Sequence, residues 1–327
     1  MRKYLGALGA MLLVTTAAVG DDSSAALGAG GIVFTKTTPV RMKAEDLYIS
    51  HKQVRIRFEF ANDTAKDVET LVAFPLPDVD TNEFTESAMG TVTEDPLNFI
   101  GFKAVVDGKP VSFRVEQRAF YKGKDVTALL KSVGAPLNVV GNDSYKVLDA
   151  LPPAKRKVLL AADLADEEGE GHLHPHWLVR TNFYWTQIFP AHKSVVVEHS
   201  YQPVTGQAFT VSSEFDGSME NPYVKDFCMD PATLARVKAK MAAKKGTDPN
   251  GLGPGMLNVY ETDYILKTAN NWNGPIGKFH LTLDKLKEAN TLSLCWDGEL
   301  KKTGPATFET TLSNFAPKRD IRMVVFE

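Results

Sequence analysis

Seven consecutive residues, Val54-Arg55-Ile56-Arg57-Phe58-Glu59-Phe60, place every apolar side chain on one parity and every charge on the other. Successive side chains of an extended strand point to opposite faces, so this order fits a strand with one buried and one wet face and does not fit a helix. The same period of two recurs over 68–74, 102–106, 111–115, 177–189, 195–201, 207–215, 257–268, 278–283, 291–296, 306–312 and 319–326. Such alternation marks antiparallel sheets with one solvated face, whereas the parallel sheet of an α/β protein reads as continuous apolar runs. Asp107-Gly108 lies between two of these segments and supplies the positive backbone angles of a tight hairpin. Pro75-Leu76-Pro77 ends the ladder of 68–74, because proline has no N–H to donate.

Helical spacing appears in only two places. After Asp125, a capping residue, Val126, Leu129, Leu130 and Val133 fall on one face, and Gly134 with Pro136 closes the turn. Residues 143–151 and 153–164 read as two further short helices, and the acidic run 166–171 as a solvated loop. Asp230-Pro231 starts a separate amphipathic helix, with Leu234, Val237 and Met241 inward and Lys244, Lys245 and Gly246 at its carbonyl end. The fold expected is mainly β: antiparallel β-sandwich domain(s) with a short helical insert and one further amphipathic helix. The divisions expected are a leader over 1–20, an N-terminal sandwich over 21–121, the insert and acidic loop over 122–171, and a C-terminal antiparallel β domain over 172–327.

Location is read from the first residues. Arg2 and Lys3 precede an uncharged apolar run over 4–19 that ends in Ala18-Val19-Gly20, the small-x-small pattern of a signal-peptidase site. Cleavage near Gly20 is expected, with a periplasmic or secreted product. The alternative, an uncleaved anchor, is disfavoured because a spanning helix needs about 20 apolar residues and Gly6, Gly9, Thr15 and Thr16 interrupt this run. No cysteine follows the run to carry a lipid, and no later segment reads as a transmembrane anchor. The net charge of −3 offers no general attraction to nucleic acid, and Arg236, Lys238, Lys240, Lys244 and Lys245 read as a solvated helix face. Two cysteines, Cys228 and Cys295, suit a bridge in an oxidising compartment, with two separately buried thiols as the alternative.

Asp22-Ser23-Ser24-Ala25-Ala26-Leu27-Gly28-Ala29-Gly30-Gly31, Glu45-Asp46-Leu47-Tyr48-Ile49-Ser50, Phe74-Pro75-Leu76-Pro77-Asp78, Tyr184-Trp185-Thr186-Gln187 and Asn271-Trp272-Asn273-Gly274-Pro275-Ile276-Gly277 together resemble the bacterial domain-of-unknown-function 4424 family. The similarity covers essentially the whole chain after the leader. It implies export and a β-rich architecture, and it carries no catalytic residues over to this sequence. Residues 55–121 are more weakly similar to the sandwich domain of vault proteins and inter-alpha-trypsin inhibitor heavy chains, mainly through Phe74-Pro75-Leu76-Pro77. That likeness implies an interaction module.

The sequence contains no G-x-S-x-G elbow, no H-E-x-x-H helix and no G-x-x-x-x-G-K-[ST] loop. Gly28-Ala29-Gly30-Gly31 leads into Ile32-Val33-Phe34 instead of a helix, so it reads as a flexible arm and not as a phosphate cradle. Glu214 and Asp216 read as surface. His172, His174 and His176 would share one face of an extended segment beside Glu168 and Glu170, a pattern open to solvated histidines or to a Zn²⁺ or Cu²⁺ site. Trp177, Trp185 and Trp296 read as core, while Trp272, in a polar turn, is the candidate recognition aromatic. The function expected is a non-enzymatic exported binding or interaction module without a cofactor, acting on an envelope protein or a small ligand. The alternative is a metal-binding or hydrolytic envelope protein using His172, His174 and His176.

Overall fold

The computed structural model describes residues 22–28, 31–37, 39–82, 93, 95–139, 142–169, 171–210, 221–244 and 255–327. The expected leader, residues 211–215 of an expected strand, the Glu214/Asp216 pair and residues 247–254 of the expected loop lie outside the described residues.

The described residues are mainly β. Strands are numbered β1 to β21 in chain order. One sheet runs, in spatial order, β10 (Lys124–Asp125), β9 (Arg114–Tyr121), β13 (Leu178–Phe189), β5 (Val68–Pro75), β1 (Ser23–Gly28) and β2 (Gly31–Phe34), with β6 (Val79–Asp80) also beside β13. A second runs β19 (Lys301–Lys302), β20 (Thr307–Phe315), β17 (Ile276–Asp284), β3 (Val40–Ser50), β4 (Gln53–Asn62), β14 (Lys193–Tyr201), β7 (Lys103–Val106) and β8 (Lys109–Pro110). A third contains β15 (Gly206–Thr210), β16 (Leu257–Tyr264), β21 (Ile321–Phe326) and β18 (Thr291–Leu294), and β11 (Ala165–Glu168) pairs β12 (His172–Pro175) separately. Ladders are antiparallel except for β17 on β3, which is parallel.

The alternating residues fill the interior as their parity requires. Val54, Ile56, Phe58 and Phe60 are buried, whereas Arg55 and Arg57 on the same strand are exposed. Phe74, Phe102 and Phe183 stack in one column, with ring centroids 5.1 and 4.3 Å apart. Each buried ring contributes roughly 1.5–3 kcal/mol by leaving water. The two large sheets each take strands from both sides of the helical insert, and their shared core extends from Val40 to Met323.

The insert contains α1 (Thr127–Val133), α2 (Asn142–Asp149) and α3 (Pro153–Ala161). Asp125 accepts from the Thr127 amide at 2.9 Å, and Gly134 ends α1 in the left-handed region with φ 76°. A smaller core lies on the third sheet, where α4 (Pro222–Asp226) and α5 (Pro231–Ala243) bury Val224, Phe227, Val237 and Met241 against Val259 and Phe326. Asp230 caps α5 by accepting the Thr233 amide at 2.6 Å. Beside this layer Cys228 and Cys295 are at disulfide distance, with Cα atoms 4.9 Å apart.

Two expectations are corrected. The run read as a flexible arm has both its ends in paired strands, with Gly28 of β1 opposite Gly31 of β2, while Ala29 and Gly30 lie outside the described residues; upstream of it Ser24 shares hydrogen bonds with Thr70 and Thr35, and Asn271 donates to Ser23. The acidic run read as a loop begins as β11, whose carboxylates find partners across the fold: Arg156 pairs with Glu167, and Asp166 lies 3.1 Å from His176.

A candidate ligand cleft beside a buried polar centre

Asp22, the residue that precedes β1, is fully buried, and both its carboxylate oxygens lie 3.1 Å from Nε2 of His199 on β14. The rings of Phe58, Phe74, Phe102 and Trp185 surround this imidazole at centroid distances of 5.0–5.6 Å. A buried polar contact in such surroundings has little water to replace a lost partner, so its two members depend on each other. Trp272 joins the same centre: its indole donates to the Asp22 carbonyl at 2.6 Å, and its ring packs on Phe60 and Phe189. It is 3% exposed, so the residue expected as a recognition aromatic has no open face to offer.

Glu45 also points inward. A register shift between Met42 and Ala44 re-aims β3 at this level, and Gly277 makes it possible, since a Cβ there would lie 2.6 Å from the Lys43 carbonyl. Burial drives the Glu45 carboxyl well above the ordinary carboxylate range, against the pull of the Tyr264 hydroxyl, while Asp22 and Asp46 push it further up.

At the end of β14 the fold opens into a cavity of about 280 Å³. Its near wall is Leu76, Pro77 and Asp78 of the Phe74-Pro75-Leu76-Pro77-Asp78 segment, followed by Val79 and Asp80. Pro75 on β5 pairs with Asn182 of β13, and Val79 on β6 pairs with Val179. Leu76, Pro77 and Asp78 therefore oppose only Arg180 and Thr181, and the surplus residue bows the segment out of the sheet. Arg180 fixes the bow with two bonds to Asp78, at 3.0 and 2.8 Å, and lies 4.4 Å from the Phe120 ring centroid. The Asp78 carboxylate in turn raises Arg180 above its already high value.

The far wall comes from the third sheet, where Asp263 of β16 stands directly across from Arg322 of β21. Arg322 Nε donates to Asp263 at 3.2 Å, and its terminal nitrogen is 3.9 Å from Glu261. Burial lifts the Asp263 carboxyl above its ordinary value, and Arg322 opposes the shift. Ile100, Tyr201, Pro203 and Val204 complete an apolar floor. The cavity thus has one greasy side and a rim of four carboxylates, Asp78, Asp80, Glu261 and Asp263, against Arg322. This combination of apolar enclosure and a few convergent charges is what small-ligand sites share, and its sign favours a cationic group.

The histidine segment is built differently. His172 Nδ1 lies 2.7 Å from Asp149, and His176 Nε2 lies 3.1 Å from Asp166. The rings of His174 and His176 are 6.1 Å apart and nearly perpendicular. Among the described residues no group of three or more His, Cys, Asp or Glu side chains is arranged to hold a metal ion. Of the cleft residues, sequence reading singled out the segment ending at Asp78. It missed Asp80, Glu261, Asp263 and Arg322, which carry no motif and meet only through the pairing of β16 with β21.

The architecture is that of a β-sandwich with a cleft between its FPLPD segment and an accessory sheet. The family model for the domain of unknown function DUF4424 matches residues 20–324, and the chain belongs to that family. No curated protein is similar enough to count as a match. A solved structure from Legionella pneumophila subsp. pneumophila strain Philadelphia 1, named as a candidate nutrient-binding protein, is 13% identical with a TM-score of 0.46, over 94% of this chain and 71% of that one.

Proposed function

We propose that this protein is an exported binding module of the bacterial envelope and that the cleft takes a small ligand carrying a cationic group on an apolar body. The cleft itself supports the reading most: an enclosed space of about 280 Å³ joins an apolar floor to four carboxylates and one arginine. An ammonium entering there replaces part of its hydration with carboxylate contacts, while its carbon chain leaves water against Ile100, Tyr201, Pro203 and Val204. Arg180 holds Asp78, and Arg322 holds Asp263 and approaches Glu261, an arrangement suited to holding a ligand. Export is supported by the Arg2-Lys3 leader pattern ahead of Gly20 and by the bonding distance of Cys228 and Cys295.

Isothermal titration of the wild-type protein with spermidine, cadaverine, glutarate and succinate tests the ligand class. Saturable binding of an amine, with the two dicarboxylates inert, is the expected result. Preference for a dicarboxylate, or silence toward all four, would remove the cleft from the account.

A further inference from the structure

A second concave surface, with charge opposite to that of the cleft, lies where α5 meets the turn between β17 and β18. Its volume is about 560 Å³ and its cations are Arg236, Lys240, Lys285 and Lys302, with Glu288 as its one carboxylate. These side chains come from three elements: α5, the 285–290 turn and, further along the chain, β19. The turn itself brings two of the ammonium groups together. Lys285 donates to the carbonyls of Glu288 and Asn290 at 2.5 and 2.6 Å, and Lys240 donates to the intervening carbonyl of Ala289 at 3.1 Å. Three successive carbonyls are thus clamped by two lysines arriving from different directions. Lys240 also donates to the Phe326 carbonyl at 3.0 Å, so each ammonium keeps one N–H for another acceptor. Arg236, exposed on the next turn of α5, has one N–H committed to Thr233 and the rest of its fork available.

We propose that this groove binds a multiply charged oxyanion of the phosphoryl class, such as a phosphate ester or a phosphorylated headgroup. Its concave shape and its excess of cations from three elements carry the inference. A tetrahedral dianion offers several acceptor oxygens to the remaining donors of the two lysines, and the guanidinium fork of Arg236 matches its edge. The titration behaviour agrees: burial first and then Lys244, Lys285 and Lys287 lower Lys240 to about 8, and burial with Lys302 lowers Lys285. Like charges held this close repel one another, and a bound dianion relieves that repulsion. The basic helix face read from the sequence as simply solvated is therefore only one wall of a charged groove.

The test uses Arg236→Gln/Lys302→Gln, because neither residue makes the carbonyl contacts that hold the turn. Isothermal titration with pyrophosphate measures the free-anion arm, and co-sedimentation with phosphatidylcholine vesicles containing phosphatidic acid measures the headgroup arm. Wild-type protein is expected to bind pyrophosphate, the phosphatidic acid vesicles, or both. The double variant should bind at least about tenfold more weakly at an unchanged melting temperature, as expected for lost charge-assisted contacts. Lys238→Gln, which removes a cation of α5 outside the groove, should bind like wild type. Binding to pyrophosphate alone identifies a soluble ester as the source, and binding to vesicles identifies a headgroup. Failure of both probes, equal affinity of the double variant, or an equal loss in Lys238→Gln would overturn the proposal.

Discussion

The histidine strand and the cleft both gather charged side chains, and they do so in opposite ways. In the strand, each contact joins side chains from one stretch of the chain, 149–176: His172 with Asp149 and His176 with Asp166. In the cleft, Asp78 and Asp80 meet Glu261, Asp263 and Arg322 from the far end of the sequence, around an apolar floor. Local pairs form wherever opposite charges share a turn and a hairpin, and at exposed positions they contribute little. Convergence of distant segments on an enclosed space requires the whole fold, so the cleft is where structure adds something the local sequence does not contain.

The largest effect that separates the two regions should come from beneath the cleft. Tyr201 of its floor follows His199 by two positions on β14 and packs against Phe74 and Phe102, so the floor rests on the Asp22–His199 centre. Asp22→Ala leaves the buried imidazole nitrogen without its partner, and a loss of about 3 kcal/mol, or several degrees in melting temperature, is expected. Calorimetry should show Asp22→Ala/His199→Leu recovering part of that loss, because an apolar pair has no polar atom to strand.

Next in size is the wall. Arg180→Ala frees the Asp78 carboxylate from both of its bonds, and urea unfolding should register about 1–3 kcal/mol of lost stability. An effect confined to noise would mean that the bowed segment holds its shape without the arginine.

A third effect depends on pH. His51 stacks on Tyr260, next to Glu261, at a centroid distance of 4.2 Å, and its ring nitrogens lack hydrogen-bond partners among the described residues. Burial, with Lys52 and Lys287, lowers it from 6.5 to about 4. The unfolded chain therefore takes up a proton near pH 6.5 that the folded protein refuses until about pH 4, so this residue's contribution to stability falls as pH drops through that window. His51→Phe keeps a stacked ring, and it should flatten the dependence of melting temperature on pH between those limits.

The smallest effect should come from the strand itself. Replacing His172, His174 and His176 together by Gln should cost about 1 kcal/mol or less, since their ion pairs are surface pairs. A large loss, mirrored by chelator treatment of the wild type, would favour the metal-binding alternative.

The fold was legible where burial follows parity. Val54 to Phe60 alternates because one face is dry, and Asp107-Gly108 turns because both residues have positive φ, 47° and 77°. Reading failed where polar residues are inside. Asp22-Ser23-Ser24 is polar throughout, yet all three are buried because His199, Thr70 and Asn271 lie within reach only after folding. Trp272 belongs to the same case: its polar neighbours form the turn, while its indole reaches across to the Asp22 carbonyl. Within the cleft, Pro75-Leu76-Pro77 announced a break in a ladder, and nothing local announced what the break would face.

The central claim is that ligand binding belongs to the cleft and not to the histidine strand. Its direct test is the affinity for the tightest amine of the titration series, measured side by side in wild type, Asp80→Asn/Glu261→Gln and the triple His→Gln variant. Loss of two carboxylates should weaken binding about tenfold or more, as removal of charge-assisted contacts does, and the histidine variant should match wild type. Undiminished affinity in the carboxylate variant, with loss in the histidine variant, would contradict the account.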